Sequence, residues 1–129
     1  MLPLLVVLVL PASCLALPRL QCDIQQSDFQ RVVQVEMTDD VYGVKTIDIN
    51  GRFRFKPVLA GADGRIDFVK LYTYYVAGSG RAVLLHQATH LPPFLQLGTD
   101  AAPAVHYLYE PRYGHEMRYR CFLLQAGNR

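Results

Sequence analysis

The chain has 129 residues, is 51% hydrophobic and carries a formal net charge of +2, with eight Tyr, three Cys and no Trp. So mild a positive excess excludes the strongly basic surface of a nucleic-acid-binding protein and gives no reason to expect a strongly anionic target. The length suits one domain with a real hydrophobic core, and no internal repeat or low-complexity tract divides it.

Residues 1–16, MLPLLVVLVLPASCLA, read as a secretory signal peptide: an apolar run from Leu2 to Leu10, then Pro11, then a small residue at Ala16. The run is shorter than the roughly 20 residues that cross a bilayer, and no later stretch reaches that length without a charge, so no membrane span is expected. The n-region lacks Lys and Arg, which points to eukaryotic or viral export. The same lack, with Pro11, argues against lipidation at Cys14. Cleavage after Ala16 leaves residues 17–129 as a single secreted β domain whose cysteines are Cys22 and Cys121. In an oxidising compartment these two are expected to pair. The bridge would close a loop of roughly 100 residues, a constraint on the unfolded chain of about 4.7 kcal/mol in the chain-entropy treatment. It requires that the first and last segments lie side by side. No Asn-x-Ser/Thr sequon is present, so N-glycosylation is not expected.

Strand signals dominate the secreted part. Gln30 to Met37 alternates, with Val33, Val35 and Met37 on one face. Val44–Ile49 and Arg52–Val58 flank Asn50-Gly51, a strong hairpin signal. A three-residue loop with Gly51 left-handed pairs Asp48 with Arg52 and Ile47 with Phe53. It turns Phe53 and Phe55 inward and Arg52, Arg54 and Lys56 outward. Ala62-Asp63-Gly64 is a turn. Arg65–Ala77, rich in aromatic and β-branched residues, is the longest predicted strand. Gly78-Ser79-Gly80 turns the chain into a strand over Ala82–His90. The stretch His90–Ala104 holds Pro92-Pro93, Gly98 and Pro103 and is predicted to be irregular. Val105–Glu110 and Glu116–Leu124 form a last hairpin, with Met117, Tyr119, Cys121 and Leu123 inward. About seven strands in this order predict an all-β fold: an antiparallel β-sandwich or a small barrel with one disulfide.

No nucleophile sits in a catalytic context, and Gly78-Ser79-Gly80 is a hairpin turn rather than a nucleophile elbow. No enzyme activity and no cofactor are expected. His86 and His90 have metal-ligand spacing only on a helix; on a strand they share a face but stand about 13 Å apart. His106, His115 and Glu116 join no metal-binding pattern, so no metal is expected either. The stripe Arg52, Arg54, Lys56 reads as the solvated face of a hairpin, with sulfated glycans or lipid headgroups as the functional alternative.

Two features point to recognition. Tyrosine, which combines apolar area with a polar tip, is abundant: Tyr72, Tyr74 and Tyr75 on one strand, Tyr107, Tyr109, Tyr113 and Tyr119 on the last hairpin. The irregular segment Leu91-Pro92-Pro93-Phe94, continuing through Leu95 and Leu97, either folds back over the core or presents an apolar contact. The candidate binding residues are therefore Leu91, Pro92, Pro93, Phe94, Tyr72, Tyr74, Tyr109 and Tyr113. The expected function is that of a secreted, non-enzymatic binding protein that recognises an extracellular protein partner. The alternative is an extracellular carrier of a lipid or other small apolar ligand, held between sheets or inside a small barrel.

Overall fold

The computed structural model describes residues 2–9 and 17–124; the end of the expected signal peptide, with Ala16 and Cys14, lies outside them. Eight strands follow one another: β1 Arg19–Gln26, β2 Phe29–Glu36, β3 Ile47–Ile49, β4 Phe53–Ala62, β5 Arg65–Val76, β6 Ala82–His90, β7 Val105–Glu110 and β8 His115–Leu124. They form two four-stranded antiparallel sheets, β2-β1-β8-β7 and β3-β4-β5-β6, packed as a sandwich. The sheets do not join into a barrel.

The strand beyond the predicted seven is β1. Leu20, Cys22 and Ile24 alternate inward there with Gln21, Asp23 and Gln25 outward. Gln and Asp fit strands poorly in isolation, and pairing on both sides, with β2 and β8, overrides that preference. The pairing sets Cys22 opposite Cys121, and the two are bridged with a Cα–Cα distance of 4.1 Å. The first and last strands thus form the central pair of one sheet.

The Asn50-Gly51 hairpin has the expected three-residue loop, but its register differs from the expected one by two residues. Ile49 pairs with Phe53, Asp48 with Arg54 and Ile47 with Phe55. The turn accounts for this. Asn50 and Gly51 both adopt positive φ (56° and 70°), and Arg52 N–H closes on the Ile49 carbonyl at 3.1 Å. The Asp48 carboxylate accepts from Gly51 N–H at 3.2 Å. A shift by two preserves the faces, so Phe53 and Phe55 are buried and Arg54 and Lys56 face outward as expected. The stretch before β3 departs further from the prediction. Val41–Gly43 form a 3-10 turn capped by the Asp40 side chain, which leaves β3 only three residues. At the far end β4 runs on to Ala62, past Pro57; that proline follows Phe55, the last residue β3 pairs, and so sits where β4 has become an edge.

The core lies between the sheets. Leu20, Cys22 and Ile24 of β1, and Met117, Tyr119 and Cys121 of β8, meet Phe53, Phe55 and Leu59 of β4 and Val69 and Leu71 of β5. Val33, Val35 and Met37 of the β2 segment pack against this cluster, as their alternation predicted. One polar staple crosses the sandwich: buried Gln26 accepts from Asn50 Nδ2 at 2.5 Å and donates to the Glu116 carbonyl at 3.3 Å.

Past its edge, β2 continues across the sandwich. Thr38 N–H donates to the Leu59 carbonyl at 2.9 Å, and Gly61 N–H donates to the Thr38 carbonyl at 3.0 Å. A Cβ on Gly61 would stand 2.1 Å from the Arg65 carbonyl oxygen and 2.8 Å from Met37 Sδ. The backbone oxygen cannot yield as a side chain would. Gly61→Ala is therefore expected to cost about 2 kcal/mol in urea unfolding, the scale of overpacking a tight interior; a loss under about 0.5 kcal/mol, typical of surface changes, would contradict this reading.

Candidate functional site

The candidate residues fall in three places. Tyr72 and Tyr74 alternate with buried Leu71 and Thr73 and so lie on the outer face of the β3-β4-β5-β6 sheet, half-buried. They stand opposite Lys56 and Arg54 in the β4–β5 register, with Lys56 Nζ 5.6 Å from the centre of the Tyr72 ring. The basic stripe and these tyrosines are therefore one surface. Tyr109 alternates with buried Leu108 and Glu110 on β7, and so belongs to the outer face of the other sheet, together with Tyr107. Tyr113 lies in the β7–β8 turn. Its hydroxyl accepts from Gly78 N–H at 3.1 Å, and its own N–H donates to the Glu110 carboxylate. It ties two turns together at one end of the sandwich.

Leu91, Pro92, Pro93 and Phe94 lie past the C-terminal end of β6, away from those turns. The connection folds back over the core at some residues and leaves others exposed. Leu97 is buried in the core and Phe94 packs against it, while Leu91 and Leu95 are 64% and 85% exposed. A shallow hollow of about 180 Å³ lies between Thr89, His90, Leu91, Pro93, Phe94 and Leu95.

One concavity was missed by sequence reasoning. It lies on the outer face of the β2-β1-β8-β7 sheet and has a volume of about 370 Å³. Register shows how it is built. Val32, Asp23, Arg120 and Val105 form one row straight across the four strands, and Gln30, Gln25, Arg118 and Tyr107 form the next. Three interstrand spacings make each row about 14 Å long. The rows are apolar at the ends, where Val32 and Tyr107 are each 64% exposed, and polar along the floor.

Charge on the floor is unbalanced. Arg120 donates from both Nε and Nη2 to Asp23 Oδ2 at 2.8 Å, with Asp100 at 3.8 Å. Arg118 donates to the neutral amide of Gln25, and Arg31 at the rim donates to the Asp48 carbonyl. Among the described residues neither Arg118 nor Arg31 forms an ion pair. Arg31, on the inward side of β2 with Val33, turns its guanidinium across to β3, so the floor carries two guanidiniums: Arg120 is engaged by Asp23, and Arg118 leaves the groove locally cationic.

Beneath the floor, between the sheets, lies a polar cluster. His86 and His90 share the inner side of β6, as the strand reading required. The bulge opposite Thr73 and Tyr74 puts Leu85 out of register and keeps His86 directly across from Thr73. His106 of β7 stacks on Tyr119 with centroids 5.0 Å apart and faces His86 at 6.4 Å. His106 is held below the ordinary imidazole value of 6.5, first by burial and then by the charge of His86. His90 is lowered in the same way, by burial and then by His106. Burial pushes the Tyr119 hydroxyl up to about 12. That hydroxyl has no hydrogen-bond partner among the described residues. Tyr119→Phe is therefore expected to gain about 1 kcal/mol in urea unfolding, since it deletes a desolvated polar atom and keeps the ring contacts; a loss of that size would show that the hydroxyl is bonded. No set of three or more His, Cys, Asp or Glu among the described residues is arranged to hold a metal ion.

Compared with known protein families, curated proteins and solved structures, the chain matches none.

Proposed function

We propose that this chain is a secreted, non-enzymatic binding protein whose groove across the β2-β1-β8-β7 sheet receives an acidic segment of an extracellular protein. One observation carries the reading: a concave strip with Val32, Val105 and Tyr107 at its ends and, on its floor, the guanidinium of Arg118, which forms no ion pair among the described residues. Arg and Tyr are the residues that most often anchor protein interfaces, because both offer large area together with directed hydrogen bonds. Tyr109, two residues beyond Tyr107 on the same outward side, extends the contact strip.

Two further observations support the reading. Leu2 to Val9 leave their Leu and Val side chains exposed, as suits a segment removed on export rather than one that completes the core. Phe53, Phe55, Tyr119 and Leu59 occupy the space between the sheets where a carried apolar ligand would sit, which favours surface recognition over carriage.

The test has two parts. Expression of the full chain in eukaryotic cells should yield a medium protein whose N-terminus lies near Leu17. Fluorescence anisotropy with a labelled Glu-rich peptide bearing one Phe should then show saturable binding that the Lys-for-Glu peptide lacks. Arg118→Glu should weaken it at least about tenfold, the scale of losing one charge-assisted contact. Retention inside the cell would overturn the secreted role. Equal binding of both peptides, or an unaffected Arg118→Glu variant, would overturn the assignment of the groove.

A further inference from the structure

The three inward histidines sit on the two strands that close one side of the sandwich. His86 and His90 belong to β6, an edge of one sheet, and His106 belongs to β7, an edge of the other. Their surroundings offer them no counter-charge. β5 presents Thr73 and Tyr75, β4 presents Phe55, β8 presents Tyr119, and the connection after β6 presents Phe94 and Leu97. His86 Nδ1, His90 Nε2, Thr73 Oγ1 and the Tyr119 hydroxyl are all buried without a hydrogen-bond partner among the described residues. The inward carboxylate of β7, Glu110, lies four residues past His106, about 13 Å along the strand, and is engaged by the Tyr113 N–H. Asp23 and Asp100 are engaged by Arg120 on the outer face.

The strand that carries His106 also carries one wall of the groove. Val105 and Tyr107 flank His106 in sequence and point the opposite way. Any displacement of β7 that relieves His106 takes that wall with it.

We propose that acidification protonates this histidine cluster, opens the β6–β7 side of the sandwich and releases the acidic segment held in the groove. The release step rests on the binding role proposed above; the opening does not.

A proton on His90 or His106 places a cation between the sheets with no anion facing it among the described residues, and a charge on His106 opposes one on His90. The sign follows from the lowered values of His90 and His106. The opened form takes up protons first as the pH falls below the ordinary value of 6.5. The closed form is therefore fully favoured above that value and loses its advantage as the pH descends through the lowered ones. Edge strands are paired on one side only, so β6 and β7 yield before the bridged β1–β8 pair. Neutral extracellular fluid and an acidified compartment lie on the two sides of this window.

Hydrogen exchange on the secreted, bridged protein without any peptide tests the opening. Rates corrected for intrinsic exchange should rise about tenfold in 82–90 and 105–110 between about pH 7.5 and about pH 5, with 19–26, paired only with β2 and β8, unchanged. The double substitution His90→Gln with His106→Phe, which removes both shifted histidines and keeps a ring on Tyr119, should abolish the rise. Equal protection at both pH values, or a rise that survives the double substitution, overturns the proposal. If that variant does not fold, an NMR titration of the wild type decides. The His106 imidazole and the β7 amides should change with one midpoint, and separate midpoints overturn it. The Glu-rich peptide then separates the two readings. A protein that opens in acid yet binds no peptide at neutral pH refutes the groove's role and retains the opening; peptide held equally at both pH values refutes release.

Discussion

Replacing both bridge cysteines, Cys22→Ala with Cys121→Ala, is expected to remove about 4 kcal/mol of stability, within the usual range for a native bridge in a small secreted domain. The two residues are 99 apart in sequence yet directly opposite on β1 and β8, the central pair of their sheet. Without the bridge, the β1–β2 and β7–β8 hairpins can form locally, but the unfolded chain must bring its two ends together before the two hairpins join into one sheet. The lost constraint is large because the closed loop spans nearly the whole domain. A domain of this size has a total stability of about 5–15 kcal/mol, so the variant should lie near the limit of folding at body temperature. Urea unfolding reads this twice. The midpoint should fall, and the slope with denaturant should rise, because the unbridged unfolded state exposes more surface. The double substitution is the informative one, since a single change leaves a buried thiol free to pair between molecules. A variant within about 1 kcal/mol of the wild type, less than the usual range for such a bridge, would show that strand pairing alone holds the ends together.

The same bridge shows how much of the molecule could be read from the chain. Its pairing followed from two cysteines in a segment whose sequence reads as exported, and the inward position of Cys121 followed from alternation with Met117, Tyr119 and Leu123. Taken as a direct cross-strand pair, it also implies Asp23 opposite Arg120 and Gln25 opposite Arg118, which is the floor of the groove. That step needed β1 to be recognised as a strand, and its outward Gln21, Asp23 and Gln25 hid it. The groove's ends were harder still to see. Val32 and Tyr107 come within one concavity only because the sheet order places β2 and β7 at its two edges, and that order is set by non-local pairing. The hairpin at Asn50-Gly51 illustrates the opposite limit. Alternation determined which side chains point inward, but Asp48 finds an opposite charge at Arg52 or Arg54 equally well. The left-handed pair in the turn, and not charge matching, set the register. The histidines on β6 were correctly placed on one face of a strand. Their meeting with His106 and Tyr119 depended on the packing of one sheet on the other, which no local pattern encodes.

The connection from β6 to β7 provides a second large effect. Leu97→Ala is expected to cost about 3 kcal/mol, the middle of the range for truncating a buried leucine, whereas Leu91→Ala and Leu95→Ala should each stay within about 0.5 kcal/mol, as surface changes do. Leu97 is only 3% exposed and belongs to the same cluster as Leu20, Phe55 and Tyr119, while Leu91 and Leu95 face solvent. One leucine thus fastens a segment that otherwise has little regular structure of its own: the Gly98–Pro103 bridge, and backbone bonds from Phe94 N–H to Leu91 and from Leu97 N–H to Phe94. The segment must be fastened because it carries the chain from one sheet to the other and delivers Asp100 to Arg120 at the groove floor. Truncating Leu97 should therefore do two things together: lower the urea midpoint and speed exchange of the β7 amides already at neutral pH. Leu91→Ala and Leu95→Ala should do neither, which leaves their exposed side chains available for contact. If Leu97→Ala proved as mild as Leu95→Ala, the segment would be held by its backbone bonds, and its four apolar side chains would all be free to serve as a contact surface.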